Sequence, residues 1–280
     1  MLITRKTGLN LVIGYPLHHT QSPTLHNTIY ELLNINAVLL AIECVDVKSI
    51  IQSIKTLGIG LTAVTMPFKE KILPYLDQYS TNIDGLNSVN TIIQHKDKLY
   101  GYNTDIDGIA YAFRNVIVEA KQVLIIGAGG AARAAACFFQ KKKAHLLWFN
   151  RTQENALKMV EIYGGEVIND SYLKNKAIDI IINTTPLGMF PHIQDSPLPN
   201  YQFNQNQVIF DMIYNPLDTK LLQQAREYGA FTISGLDMLI GQGIRQIELW
   251  SGKGIFTGNI VAQLKEKLIS QQDRSSFNKS

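Results

Sequence analysis

Short apolar runs alternate with stretches of helical periodicity along almost the whole chain, and this alternation predicts an α/β protein. In the first third, residues 11–14, 38–45 and 61–65 have strand character, while residues 23–33 and 47–57 carry apolar side chains at helical spacing. The third strand breaks at Met66-Pro67, and a proline in the first turn of a helix leaves no N–H to satisfy there. Residues 88–94 and 98–102 read as two further strands joined by the polar turn His95-Lys96-Asp97. From Ile106 the order becomes helix, to about Val116, then strand, helix, strand, helix and strand, the strands falling at 123–126, 144–149 and 178–183. A strand at 208–212, a helix at 220–228 and a short strand at 231–233 follow. Residues 238–250 and 255–268 are amphipathic and helical, and the polar stretch 271–280 is expected to fray.

Composition narrows the class. A chain of 280 residues, 46% of them hydrophobic, is long enough for two domains with a core each. The net charge is +3, and the dense basic run Lys141-Lys142-Lys143 is expected at the solvated end of a helix, so no nucleic-acid partner is expected. Cys44 and Cys137 stand far apart in apolar surroundings and are expected to be buried free thiols in a reducing compartment. The N-terminus lacks the pattern of a signal peptide, and no apolar run reaches the ~18 residues that span a bilayer, so a cytoplasmic protein without membrane contact is expected.

The most informative stretch is Val123-Leu124-Ile125-Ile126-Gly127-Ala128-Gly129-Gly130-Ala131-Ala132-Arg133, an apolar strand running into a glycine-rich turn that opens an alanine-rich helix. Gly127 permits the tight turn, Gly129 lets the backbone approach a phosphate, and Ala132 takes the small position where helix packs on strand. The helix N-terminus offers unpaired N–H groups to a diphosphate. The next strand ends in Asn150-Arg151-Thr152, where an acidic residue would bind the ribose of NAD. Arg151 can instead pair with a 2′-phosphate, with Asn150 and Thr152 as neutral partners, which favours NADP. Strand and helix order from Ile106 onward matches a Rossmann domain.

Hydride transfer at an alcohol carbon also needs groups that take and return the hydroxyl proton. Two tracts set polar residues between apolar strands: Thr65-Met66-Pro67-Phe68-Lys69 and Asn103-Thr104-Asp105. With them the chain resembles the shikimate dehydrogenase family over nearly its whole length. Gly14-Tyr15-Pro16-Leu17-His18-His19-Thr20-Gln21-Ser22-Pro23 with Leu25-His26-Asn27 resembles the family's substrate-carboxylate loop, and Ala63 to Lys69 resembles NVTxPxK. Val89-Asn90-Thr91 and Asn103-Thr104-Asp105 match VNT and NTD, and the glycine turn with Asn150-Arg151-Thr152 matches GAGGAxRA and NRT. The tract from Asn183 to Met189 and the one from Gly235 to Gln242 resemble the nicotinamide-side loop and the closing substrate helix.

The resemblance implies reversible NADPH-dependent reduction of 3-dehydroshikimate to shikimate, with Lys69 and Asp105 as the catalytic pair. It implies a substrate site of Thr20, Ser22 and Tyr214 at the carboxylate and Thr65, Asn90 and Gln242 at the ring hydroxyls. The implied cofactor site comprises Gly127, Ala128, Gly129, Gly130, Ala131, Asn150, Arg151, Thr152, Thr184, Met189 and Gly235. A substrate-binding domain of residues 1–105 and 239–280, an open α/β sheet completed by the C-terminal helices, would face an NADP-binding Rossmann domain of residues 106–238 across a cleft. The expected partners are the small-molecule substrate and at most a second copy of the chain, as monomer or homodimer. His18, His19 and His26 lack the spacing of a metal site, and none is expected.

Three departures qualify the resemblance. Thr20 replaces the usual first serine, Ala63 replaces an asparagine, and Asn155 stands where a second arginine often meets the 2′-phosphate, with Lys158 one turn on. Thr20 and Ala63 leave open a relative that prefers quinate or an aminated ring, and Asn155 leaves open a weaker preference for NADP, which Lys158 would offset. A noncatalytic ligand sensor of the same fold is the more distant alternative, disfavoured because both Lys69 and Asp105 are present.

Overall fold

The computed structural model describes residues 2–17, 20–80, 86–173 and 177–277. His18 and His19 lie outside the described residues. The chain divides into two compact units, Met1–Thr104 with Gln242–Ser280, and Asp105–Gly241.

The first unit begins β1 (Gly8–Gly14), α1 (Ser22–Leu32), β2 (Ala37–Glu43), α2 (Val47–Leu57), β3 (Leu61–Val64) and α3 (Phe68–Lys71). A 3-10 turn at Leu73–Tyr75 leads to β4 (Gln78–Tyr79), β5 (Thr91–His95) and β6 (Lys98–Tyr102). The sheet order is β2-β1-β3-β5-β6-β4, parallel from β2 to β3 and antiparallel where β5 pairs with β3 and β6. Helix α2 starts where the carboxylate of Asp46 accepts the N–H groups of Lys48 and Ser49, at 3.2 and 3.0 Å. Every residue of β3 is buried, as a central strand requires. Asn10 of β1 is fully buried yet paired, its Nδ2 donating to Tyr30 Oη at 2.8 Å and its Oδ1 accepting Leu61 N–H at 2.8 Å.

The second unit holds α4 (Asp105–Ala112), β7 (Gln122–Ile126), α5 (Gly130–Lys141), β8 (His145–Phe149), α6 (Gln153–Tyr163), β9 (Glu166–Val167) and α7 (Asp170–Leu173). It continues with β10 (Ile180–Asn183), β11 (Val208–Asp211), α8 (Lys220–Glu227) and β12 (Phe231–Ser234). Its sheet runs β12-β11-β10-β7-β8-β9 and every pairing is parallel. Leu124, Leu147, Ile181 and Ile209 form part of one buried core beneath it. Strand order reverses between β7 and β10, which places the crevice of an open α/β sheet at their C-terminal ends. Helix α9 (Gly235–Ser251) carries the chain back into the first unit, which α10 (Gly258–Phe277) completes.

Several boundaries differ from the sequence reading. Helix α4 ends at Ala112 rather than Val116, because the N–H groups of Arg114 and Val116 turn to carbonyls three residues back, and Phe113 beside this turn packs edge-on against Phe139 and Phe210, ring centres 4.9 and 5.4 Å apart. Helix α10 starts three residues after Ile255, since the N–H groups of Ile255 and Phe256 go to Glu248 Oε1 instead of a helical ladder. It then runs through Phe277, so the expected frayed tail is a continuation of helix as far as that residue, anchored where Thr24 Oγ1 donates to Gln271 Oε1 at 2.5 Å. The strand expected at 88–94 begins only at Thr91, the Val89 N–H being used by the Lys69 carbonyl at 2.8 Å. Cys137 is buried but Cys44 is partly exposed, which corrects the expectation for that thiol, and both are free.

Candidate active site

In the first unit, the C-terminal ends of β1 and β3 carry two loops held together by backbone. Tyr15 N–H donates to the Met66 carbonyl at 3.0 Å and Thr65 N–H to the Ile13 carbonyl at 2.9 Å. Thr20 Oγ1 accepts the N–H of Ser22 at 3.3 Å as the chain enters α1. Thr65 is partly buried, and Phe68 N–H returns to its carbonyl to start α3, where Lys69 sits half-buried. The Lys69 carbonyl accepts from Val89, so the backbone of the lysine is pinned beside Asn90.

Asn90 is the centre of a buried polar cluster. Its Oδ1 accepts the Thr104 N–H at 2.8 Å and the Thr91 hydroxyl at 2.7 Å, and its Nδ2 donates to Thr104 Oγ1 at 3.1 Å. Thr104 Oγ1 lies 3.5 Å from Gln242 Oε1 of α9. Gln246, one turn further along α9, donates through Nε2 to Thr91 Oγ1 at 3.0 Å and to the Asn90 carbonyl at 3.3 Å. The ends of β5 and β6 thus meet at the carboxamide of Asn90, α9 reaches the cluster through Thr91, Thr104 and the Asn90 carbonyl, and buried polar networks of this kind restrict the geometry. Thr91 stands in the sequence reading only as part of the motif Val89-Asn90-Thr91, with no role, and Gln246 is absent from it; Gln246 shares a helix face with Gln242 at i,i+4, and that spacing was the available signal.

His26 lies under this cluster on α1. Its Nδ1 faces the Ser22 carbonyl at 2.8 Å, an acceptor, so Nδ1 carries the hydrogen of the neutral ring. Burial pulls its pKa down to about 4, against smaller opposite effects of the Ser22 carbonyl and Gln246. Among the described residues no group of three or more His, Cys, Asp or Glu could hold a metal ion.

In the second unit, Gly127 follows β7 with φ at 113°, and a Cβ there would collide with Thr184 Oγ1. Thr184, after β10, donates through Oγ1 to the Ile126 carbonyl at 2.7 Å, and Gly127 N–H reaches the Phe149 carbonyl of β8 at 2.9 Å. Ala128, Gly130 and Ala131 are partly exposed and Gly129 is exposed. A Cβ on Gly129 would meet nothing within 4 Å, and no side chain caps α5 at Gly129. The start of α5 thus has no side-chain cap and open space beside Gly129, and the first N–H groups of a helix are the donor set a diphosphate takes. Arg151 and Thr152 are exposed at the end of β8, with Asn150 Nδ2 donating to the Thr152 carbonyl at 2.8 Å. Gly235 closes against β11, its N–H donating to the Ile213 carbonyl at 3.1 Å, and a Cβ there would run into the Met212 carbonyl.

The structure thus joins Asn90 and Gln242 in one cluster through Thr104, and Gly127 with Thr184 in another. Asp105, buried as the first residue of α4, and Tyr214 belong to the second unit, whereas Lys69 and the other nominated substrate residues belong to the first. Burial also raises the pKa of the Tyr214 phenol. Met189 is exposed on the loop after β10.

Residues 12–92 match the family profile described as the shikimate dehydrogenase substrate binding domain, residues 112–234 that of shikimate/quinate 5-dehydrogenase, and residues 235–254 the shikimate 5'-dehydrogenase C-terminal domain. A shikimate dehydrogenase (NADP(+)) of Carboxydothermus hydrogenoformans is 37% identical over 264 residues, covering 90% of this chain and 94% of that protein. The crystal structure of shikimate dehydrogenase from Aquifex aeolicus superposes with a TM-score of 0.88 at 34% identity, covering 94% of this chain and 99% of the other. The Thermus thermophilus enzyme in complex with NADP(H) and shikimate gives a TM-score of 0.85 at 27% identity, over 93% of this chain and 100% of the other. With both sheets, the polar cluster at Asn90 and the glycine turn at Gly127 in place, the chain belongs to the shikimate dehydrogenase family.

Proposed function

We propose that the protein catalyses the reversible NADP-dependent reduction of 3-dehydroshikimate to shikimate, a step of aromatic amino-acid biosynthesis. The observation that carries this reading is the Asn90 cluster: a buried carboxamide, inside the stretch that matches a substrate-binding profile, bonded to Thr91 and Thr104, with Gln242 beside Thr104. Such neutral groups hold and orient a small polyol acid by several aimed hydrogen bonds. Asn90, Thr65 and Gln242 take the ring hydroxyls, and Thr20, Ser22 and Tyr214 the carboxylate.

The second unit takes the dinucleotide. The turn Gly127-Ala128-Gly129-Gly130-Ala131 and the start of α5 hold the diphosphate, Arg151 with Asn150 and Thr152 the 2′-phosphate, and Thr184, Met189 and Gly235 the nicotinamide side. Bound there, NADPH supplies the hydride for the ring carbonyl. Lys69 and Asp105 handle the proton: one is delivered to the carbonyl oxygen during reduction and withdrawn from the hydroxyl during oxidation. They act as a pair, so the proton is assigned to neither alone.

The first unit is accordingly the substrate-binding domain and the second the NADP-binding domain. The reading carries a cytoplasmic location with it, in keeping with the free thiols of Cys44 and Cys137. The test is absorbance at the nicotinamide band with shikimate or quinate and NADP+ or NAD+. Shikimate with NADP+ is expected to give the highest kcat/KM; a preference for quinate with NAD+ would replace this reading with the quinate alternative.

A further inference from the structure

We infer that Asp211 is a positioning residue for the dinucleotide, holding the 184–189 loop against the glycine turn through Asn183; this rests on the NADP reading above. Asp211 ends β11 and is fully buried. Its carboxylate gathers donors from three places. Oδ1 accepts Asn183 Nδ2 and the Ile213 N–H, each at 3.1 Å, and Oδ2 accepts the Thr219 hydroxyl at 2.7 Å. Thr219 is itself fixed, because it caps α8 by accepting the Leu222 N–H at 3.4 Å.

Asn183 ends the neighbouring strand β10 and is equally buried. A carboxylate only accepts, so Asp211 dictates that Asn183 turns its amide nitrogen inward and its oxygen toward the loop. That oxygen accepts the N–H of Thr185 at 3.0 Å and its hydroxyl at 2.7 Å, while Nδ2 also donates to the Leu187 carbonyl at 3.2 Å. Thr184, between them, bonds the Ile126 carbonyl directly before Gly127. The loop that carries Thr184 and Met189 is therefore set by an amide whose orientation a buried carboxylate imposes. Burial pushes the Asp211 carboxyl up to about 6 despite these donors, a cost that the fold sustains at this one strand end.

The test is direct titration of NADP+ and of shikimate into Asp211→Ala, Asp211→Asn and Thr185→Val, followed by protein fluorescence or calorimetry, alongside Tm. Asp211→Ala leaves Asn183 free to turn and is expected to raise the Kd for NADP+ about tenfold, equivalent to about 1.4 kcal/mol. Asp211→Asn keeps an oxygen for Asn183 and turns its amide nitrogen to the Thr219 hydroxyl, so it is expected to stay within about twofold of wild type. Thr185→Val, which removes the hydroxyl that donates to Asn183 Oδ1 and accepts the Leu187 N–H at 3.3 Å while leaving the strand ends intact, is expected to raise the Kd about threefold. The Kd for shikimate should remain within about twofold throughout, a selectivity that general destabilisation would not produce. Lower Tm with unchanged NADP+ affinity, or parallel losses for both ligands, would overturn the inference. Should Asp211→Ala fail to fold, Thr185→Val decides alone. A wild-type protein that binds no NADP+ would instead overturn the NADP reading, and this inference with it.

Discussion

Asn90 and Thr104 hold each other by both ends: Asn90 Oδ1 accepts the Thr104 N–H at 2.8 Å, and Asn90 Nδ2 donates to the Thr104 hydroxyl at 3.1 Å. Truncation of the carboxamide leaves a buried N–H and the Thr91 hydroxyl without their acceptor. Asn90→Ala is therefore expected to cost about 1–3 kcal/mol of stability from the unsatisfied donors. It should also raise the KM for shikimate by roughly tenfold or more as one ring contact is lost, with the KM for NADP+ unchanged. Thermal unfolding and steady-state kinetics on the same preparation separate the two effects.

Lys69 is half-buried on the four-residue helix α3, with its backbone pinned to Val89, so its side chain can be removed without opening a core. Lys69→Ala is expected to lower kcat by about two to four orders of magnitude, the usual worth of a positioned proton-transfer group, while the KM for shikimate changes little. Steady-state rates at saturating NADP+ check this; a kcat near wild type would remove the lysine from the chemistry.

Arg151 stands exposed at the end of β8, directly after the strand paired with β7. Loss of one charge-assisted hydrogen bond costs about 1.5–3 kcal/mol, so Arg151→Ala is expected to raise the KM for NADP+ by roughly tenfold to a hundredfold. The KM for NAD+, which has no 2′-phosphate, should not move. Equal changes for both cofactors would place the arginine elsewhere on the dinucleotide.

Two buried groups should tilt stability in opposite directions with pH. His26 titrates near 4 when folded against 6.5 unfolded, so between those values the unfolded chain binds more protons and stability falls as pH falls from 6.5 toward 4. Asp211 titrates near 6 when folded against 3.8 unfolded, so the folded chain binds more protons there and stability falls as pH rises from 3.8 toward 6. Each effect is about 3 kcal/mol in size. Denaturant unfolding from pH 4 to 7 should show stability rising more steeply with pH in Asp211→Asn than in wild type, and less steeply in His26→Leu.

Much of the fold was legible because periodicity and turn chemistry coincide. Helix α2 has its expected bounds, with Asp46 at one end and Gly58 in the left-handed region at the other. The glycine turn was legible for the same reason, since only glycine suits both the φ of Gly127 and its approach to Thr184. Three features were hidden because tertiary contacts decide them. Phe113 packs into an aromatic cluster where α4 ends, Glu248 draws off the N–H groups of Ile255 and Phe256, and Gln271 is tied to Thr24 far back in the chain. At the site, Asn90 and Gln242 were found by resemblance, but Gln246 reaches Asn90 and Thr91, and Asp211 reaches Asn183, across long stretches of sequence. Apart from the i,i+4 spacing of Gln246 from Gln242, nothing local distinguishes them from a solvated amide and a strand-end acid.

The most direct test is the shikimate-dependent appearance of NADPH at the nicotinamide absorbance band, using purified wild type beside Lys69→Ala. The expected result is steady NADPH formation by wild type with shikimate, strongly reduced in the variant and slower with quinate or NAD+. Absence of shikimate-dependent NADPH formation by folded, NADP+-binding wild type would contradict the account.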